Sequence, residues 1–174
     1  MSGLLQRTTI IVASIGILAF FLTPTGHAPS RYPPPDAIFC LLAAIIVRRP
    51  SLVPAYAVVG VGLLCDILLF RPLGLWTLAM LGATEFLRGK TDNVRGLPFA
   101  FEWMLVSAAF LCALAIYNAV LIVFLTPFAD FSLILLHYLA TVLAYPACVV
   151  VAIFVFRVRK LHPVEEDSAK GSSD

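Results

Sequence analysis

Asp66 is the residue whose surroundings in this sequence most need a chemical explanation. It lies in the apolar segment GVGLLCDILLFRPLG (60–74), five residues before Arg71 and eight before Gly74. Burial of a carboxylate is costly unless the group is paired or hydrogen-bonded. Such a group could be catalytic, could change its protonation during transport, or could fasten two helices together. The choice depends on the elements that position it.

The composition is typical of a helical membrane protein. Of the 174 residues, 61% are hydrophobic and 13% are charged, whereas soluble domains carry about 25% charged residues. Apolar runs follow one another almost without interruption, while the strands of a membrane barrel would alternate polar and apolar residues. We therefore predict an all-α membrane protein, a compact bundle of transmembrane helices.

Apolar runs bounded by charges and prolines predict six spans. They cover residues 8–22, 36–47, 52–70, 73–87, 99–125 and 131–156. A helix needs about 20 residues to cross about 30 Å of hydrocarbon, so the short second and fourth spans must lean on flanking residues, thin the bilayer or lie sheltered in the bundle. Residues 1–160 then form one transmembrane domain, and the polar residues 161–174 are expected to be a disordered cytoplasmic tail.

Basic residues indicate the orientation of the spans. With six spans and a cytoplasmic N-terminus, ten of the 12 Lys and Arg residues are cytoplasmic, and Arg31 and Arg71 are outside. Five spans with an external N-terminus and a re-entrant segment 36–47 give the same count, so that alternative stays open. We favour six spans because Arg7 directly precedes the first one and the proline-rich segment 23–35 suits an outer loop.

The short connection after Asp66 predicts a tight helical hairpin. The carboxylate lies about 6 Å below the outer end of its span and is expected beside the free N–H groups that begin the fourth span, near residues 73–75. Arg71 can return toward this carboxylate from the turn. Pro72 suits a first helical position, and Gly74 lets the two backbones approach.

Asn118 and His137 lie at a similar depth in the fifth and sixth spans. They could form one polar layer with Asp66, since polar groups within a membrane usually face the bundle interior. Alternatively, each bonds neighbouring backbone independently. Small residues, among them Gly60 and Gly62, favour close helix contacts.

The other carboxylates within the spans are interpreted as anchors. Asp36 and Asp130 are predicted N-caps, and Glu102 lies in the first turn of the fifth span, where the helix dipole favours an anion. Glu85 is expected to pair with Arg88 three residues later.

Enzymatic motifs are not found in the sequence. Asp66 lacks a second aspartate at its depth, as an aspartyl protease would require, and Ser107 and His137 lie at different depths. No metal motif, phosphate loop or dinucleotide fingerprint is present, and the four cysteines lie in different apolar runs. We therefore predict no catalytic, cofactor-binding or metal-binding residues, and a scaffold that binds other membrane proteins fits better than an enzyme or a transporter.

The segment from about residue 35 to residue 88 resembles the MreD family of bacterial rod-shape-determining membrane proteins, especially its alphaproteobacterial members. The resemblance is carried by an Arg-Arg-Pro turn at 48–50, by TEFLR at 84–88, and by a hairpin pattern that comprises Gly62, Leu63, Leu64, Asp66, Leu68, Leu73 and Gly74.

This resemblance implies a six-helix inner-membrane protein with both termini cytoplasmic, similar in fold to the substrate-binding subunits of energy-coupling-factor vitamin transporters. It implies a non-enzymatic scaffold that binds MreC and works with RodA, a penicillin-binding transpeptidase and the MreB filament in lateral peptidoglycan synthesis. The similarity in fold keeps a small-molecule or lipid-binding transport subunit as the alternative. The candidates for structural or partner contacts are Gly62, Asp66, Arg71, Pro72, Gly74, Asn118 and His137.

We expect reporter fusions at residue 1 and after residue 160 to be cytoplasmic, and a reporter inserted within 24–35 to be external. The reason is the retention of Arg7 and of the arginine-rich turns on the inner side. A translocated N-terminus would replace six spans with five.

Overall fold

The computed structural model describes residues 34–94, 96–124 and 130–156, except for the side chains of 92–94 and 155–156. The predicted first span (8–22), most of the loop that follows it and the predicted tail (161–174) lie outside the described residues. Within them the fold is all-helical, as predicted. The elements are α1 (Ala37–Arg48), a 3-10 helix (Pro50–Leu52), α2 (Ala55–Leu68), α3 (Leu75–Val94), α4 (Phe99–Val123) and α5 (Phe131–Phe156).

The boundaries of α1, α4 and α5 agree with the predicted spans to within two residues. Differences occur at α2 and α3. The run predicted to begin at residue 52 becomes a helix only at Ala55, because Pro50–Leu52 forms the separate 3-10 turn and Pro54 precedes the first helical residue. Helix α3 continues to Val94, beyond the predicted end at residue 87. The prediction ended the span where charged residues begin, but Arg, Lys and Glu are good helix formers and the helix continues through them.

Helices α4 and α5 have the length and composition of membrane spans. Two segments, Phe99–Val123 and Phe131–Phe154, are long and apolar enough to cross a membrane. Both helices expose large apolar side chains, including Phe101, Met104, Leu111, Ile116, Leu135, Leu139, Leu143 and Phe154. Helices α1 and α2, with 12 and 14 residues, would rise only about 18–21 Å.

Helix α1 forms the centre of the core. Its residues from Phe39 to Val47 are at most 1% exposed, and α1 packs against α3 and α5. The helix of the short predicted second span is thus buried within the bundle. The ring of Phe110 from α4 fills the space beside it, with centroid distances of 4.9 Å to Phe39, 6.1 Å to Trp76 and 6.2 Å to Tyr138.

Pro146 lies inside α5 without ending the helix. Proline has no N–H group, so the carbonyl four residues earlier, that of Val142, loses its usual helical donor. The indole Nε1 of Trp103 donates to this carbonyl at 2.9 Å. A side chain of α4 therefore replaces the hydrogen bond that Pro146 removes, and the same bond joins α4 to α5.

Arg88 connects α3 to the turn between α1 and α2. Its guanidinium donates to the carbonyls of Pro50 and Val53, both at 2.7 Å, and to Glu85 Oε1 at 3.1 Å. The predicted pairing of Glu85 with Arg88 is confirmed. The two carbonyl bonds add a function that the sequence did not predict, because they fix the 3-10 turn against α3.

At Gly62, α2 lies in close contact with α3. A Cβ atom at this position would lie 2.9 Å from Thr77 Cγ2 and Oγ1 and 3.2 Å from Met80 Cε. Gly60, two residues earlier, has no atom of the described residues within 4 Å of the equivalent position. The close-packing prediction is confirmed for Gly62, and at Gly60 the described residues show no such contact.

We expect Gly62→Ala to lower the free energy of unfolding by about 1–3 kcal/mol, because the added methyl group would overpack the α2–α3 contact. Gly60→Ala is the matched control on the same helix and should be neutral or slightly stabilising. Thermal melting of both variants in detergent checks this. Equal melting temperatures for the two variants would contradict the assigned contact.

Candidate functional site

The Asp66 carboxylate lies at the end of the bundle where α2 meets α3, which we call the hairpin end. The residue is fully buried. Its Oδ2 atom accepts hydrogen bonds from Gly74 N at 2.9 Å, Thr77 N at 3.3 Å and Thr77 Oγ1 at 2.8 Å. The expectation that Asp66 binds the N–H groups at the start of the next helix is confirmed.

These bonds make Asp66 the N-terminal cap of α3 from another helix. The carbonyl of Gly74 accepts the first helical bond, from Leu78 N, so Gly74 holds the N-cap position and Thr77 is the third residue of α3. An ordinary N-cap side chain would accept from the third residue, but glycine has none. Asp66 supplies the missing oxygen from α2.

The main chain of Asp66 ends α2 at the same point. Its carbonyl accepts from Arg71 N at 2.9 Å, and Phe70 has a positive φ of 51°, which together form a Schellman-type helix end. Gly74 follows with φ of 84°, in the region that glycine adopts without strain. One residue therefore terminates α2 through its carbonyl and begins α3 through its carboxylate.

Three expectations about this turn need correction. Pro72 is not the first helical residue, because α3 begins at Leu75. Gly74 does not serve a close approach of the α2 and α3 backbones, since no atom of the described residues lies within 4 Å of a Cβ placed there; its positive φ is the requirement. Arg71 forms no ion pair with Asp66 among the described residues, and its guanidinium instead lies 5.2 Å from the ring centroid of Trp76.

Asn118 and His137 do not join Asp66 through hydrogen bonds in the described structure. Asn118 Nδ2 donates to the carbonyl of Leu114 in its own helix at 2.7 Å. His137 Nδ1 lies 2.8 Å from the carbonyl oxygen of Pro34, which can only accept, so Nδ1 carries the proton. The alternative, a bond to neighbouring backbone, is therefore confirmed for Asn118 and wrong for His137, whose partner lies 103 residues away in the sequence.

The start of α1 is fixed by Asp36 and Thr141. Asp36 Oδ1 accepts from Phe39 N at 3.0 Å, which confirms its predicted N-cap role. Its backbone N–H donates to Thr141 Oγ1 at 3.0 Å. Asp130 directly precedes α5, where its carbonyl accepts from Leu133 N at 2.8 Å.

A buried ion pair lies at the opposite end of α1. Arg48 NH1 donates to Glu102 Oε1 at 2.6 Å and to the carbonyl of Ala44 at 2.9 Å. The hydroxyl of Tyr145 donates to the same Glu102 oxygen at 2.7 Å. All three side chains are buried, so α1, α4 and α5 meet in one polar contact within an apolar core.

The sequence interpretation missed this contact. It treated Arg48 as a cytoplasmic topology charge and Glu102 as an anion near a helix N-terminus. The first-turn position of Glu102 is correct, but the partner was not foreseen. The available signal was that a cation ends the predicted second span and an anion begins the predicted fifth. Because successive predicted spans run in opposite directions, these two ends are expected at the same depth.

The described part of the chain is all-helical and contains two helices long and apolar enough to span a membrane. Within it, buried polar side chains join helix ends. Comparison with known proteins adds no relative: no protein-family model matches the chain, and no curated protein or solved structure matches it.

We expect Asp66→Ala to lower the free energy of unfolding by about 1–3 kcal/mol, because the N–H groups at the start of α3 lose their acceptor. Asp66→Asn keeps an oxygen for the Oδ2 position and should retain part of this stability. Melting temperatures in detergent compare the stability of the wild type, Asp66→Asn and Asp66→Ala. An Asp66→Ala protein as stable as the wild type would contradict the capping role.

Breaking the buried ion pair should be more damaging than breaking an exposed one. Glu102→Ala leaves the Arg48 charge buried and should cost about 3–5 kcal/mol of unfolding free energy. Glu85→Ala is the matched control, since the Glu85 side chain is 43% exposed and such pairs contribute about 0–1 kcal/mol. Similar melting temperatures for both variants would show that the Arg48–Glu102 contact does not stabilise the fold.

Proposed function

We propose that this chain is a multi-pass protein of the bacterial inner membrane with both termini cytoplasmic, and a non-enzymatic scaffold of the MreD type in the cell-elongation machinery. In this role it binds MreC and helps regulate lateral peptidoglycan synthesis and rod shape. RodA, a penicillin-binding transpeptidase and the MreB filament, directly or through MreC, belong to the same assembly.

The proposal is supported by the coincidence of the family-like residues with the hairpin contacts. Gly62, Asp66 and Gly74 carry the resemblance, and each has a separate physical task in the described hairpin. Gly62 allows the approach of Thr77, Asp66 caps α3, and Gly74 adopts a positive φ. Residues that determine the shape of a turn suit a protein that acts by presenting a surface.

Exposed apolar side chains support the membrane location. Helices α4 and α5 carry large apolar residues on their outer faces. In the most apolar 18 residues of each helix, only 28% of the residues of α4 and 17% of those of α5 are buried. Such surfaces are stable in lipid or against other membrane helices, whereas in water they would promote association. A scaffold within a membrane makes use of both environments.

The alternative is a small-molecule or lipid-binding transport subunit, in which Asp66 changes protonation during a cycle. In that case Asp66→Asn and Asp66→Ala should both fold normally, keep their partners and lose function equally. In the scaffold role, Asp66→Ala should instead lose stability and partner recovery together, with Asp66→Asn between it and the wild type.

Co-purification from the native host in a mild detergent tests the proposal. We expect tagged wild-type protein to recover MreC and RodA, and Gly60→Ala, which alters an open position, to recover the same amounts. Asp66→Ala should recover at least several-fold less MreC at equal expression.

Two results would contradict the scaffold. One is the absence of MreC from the wild-type eluate when MreC is present in the solubilised membranes. The other is recovery of an ATPase partner or a stoichiometric small molecule in place of the elongation proteins, which would support the transport alternative.

A further inference from the structure

A small cavity at the hairpin end brings together a carboxylate, a guanidinium and an imidazole from different elements. Its volume is about 110 Å³, and Asp36, Arg71 and His137 line it together with Trp76 and Cys65. The three polar residues precede α1, follow α2 and belong to α5, respectively. None of them is used by the Asp66 cap or by the Arg48–Glu102 ion pair.

Contacts with neighbouring groups hold each of these side chains in place. The Arg71 guanidinium lies on the ring of Trp76, which is 2% exposed. Asp36 is fixed by its bond from Phe39 N. His137 is fixed by the carbonyl of Pro34, and because Nδ1 carries the proton, Nε2 of the neutral ring remains an acceptor.

The lining of the cavity therefore includes both a cation and hydrogen-bond acceptors. No carboxylate of the described residues forms a salt bridge with Arg71, so its planar set of N–H donors remains available to an oxyanion such as a carboxylate or phosphate. Asp36 and His137 offer acceptors suited to an ammonium group. A carboxylate has about four lone-pair sites, and the known hydrogen bond of Asp36 Oδ1 uses one of them.

We propose that this cavity binds a small zwitterionic group in which an oxyanion and an ammonium are separated by a few atoms. Arg71 binds the oxyanion, and Asp36 with His137 binds the ammonium. A volume of about 110 Å³ equals the space of roughly three or four liquid water molecules. It fits a phosphoethanolamine head group or a small amino acid, whereas drug-sized ligands need about 300–1,000 Å³.

Binding to the purified full chain in dodecyl maltoside tests this site. Calorimetric titration uses O-phosphoethanolamine and glycine as soluble probes. Native mass spectrometry compares phosphatidylethanolamine with phosphatidylglycerol, which has the phosphate but no ammonium. Binding of the soluble probes indicates a free zwitterion as the source, and binding of phosphatidylethanolamine alone indicates a lipid head group.

Variants assign the binding to the cavity. Arg71→Gln removes the cation and Asp36→Asn removes the anion while keeping the capping oxygen, so each should weaken zwitterion binding at least tenfold. Lys90→Gln is the matched control, because Lys90 also lies over an aromatic ring, that of Phe86, but in the second half of α3, away from the hairpin end. Melting curves establish whether each variant is folded. If only one of Arg71→Gln and Asp36→Asn folds, that variant alone is compared with Lys90→Gln.

The site is overturned if no zwitterionic probe binds the wild type saturably, or if phosphatidylglycerol binds as tightly as phosphatidylethanolamine. It is also overturned if a folded Arg71→Gln or Asp36→Asn protein binds the zwitterionic probes as tightly as Lys90→Gln does. The assay contains no partner protein, so its failure would leave the scaffold proposal unaffected, and failure of the MreC experiment would leave this site standing.

Discussion

Main-chain groups left open at breaks in the helices are the constraint on which this structure depends. In an apolar surrounding each such group needs a partner from the protein itself. At the start of α3 the partner is the carboxylate of Asp66. At the proline within α5 it is the indole of Trp103, and at the 3-10 turn it is the guanidinium of Arg88. Each of these side chains comes from a different element than the main-chain group it bonds. The hydrogen bonds that pair the main-chain groups therefore also hold the helices together.

Helix α1 shows how these contacts divide between the two ends of the bundle. At the hairpin end its first turn is held by a backbone bond to Thr141, which any residue other than proline at position 36 can donate. At the other end it is held by the Arg48–Glu102 pair, which depends on charge. Between them α1 offers almost no polar group to solvent. Its position along the bundle axis is therefore set at both ends, while its apolar middle fills space.

Local features of the sequence predict the positions of most helices, because prolines and charges bound the apolar runs. They also predict that Asp66 caps the following helix, because the connection is so short. The stacking of Arg71 on Trp76 was not predictable, since a cation near Asp66 in the sequence suggests an ion pair, and the contact with the ring depends on tertiary packing. The contact of Arg48 with Glu102 depends on tertiary packing across 54 residues, which periodicity does not contain.

The separation of Arg48 from its partner also has a consequence for biosynthesis. Arg48 leaves the ribosome 54 residues before Glu102, a delay of roughly 3–10 s at typical elongation rates of about 5–20 residues per second. During that interval the Arg48 cation lacks the carboxylate that pairs with it in the folded protein. Because α1 also packs against α5, it reaches its final burial only after the last described helix is made. The order of assembly thus differs from the order of translation.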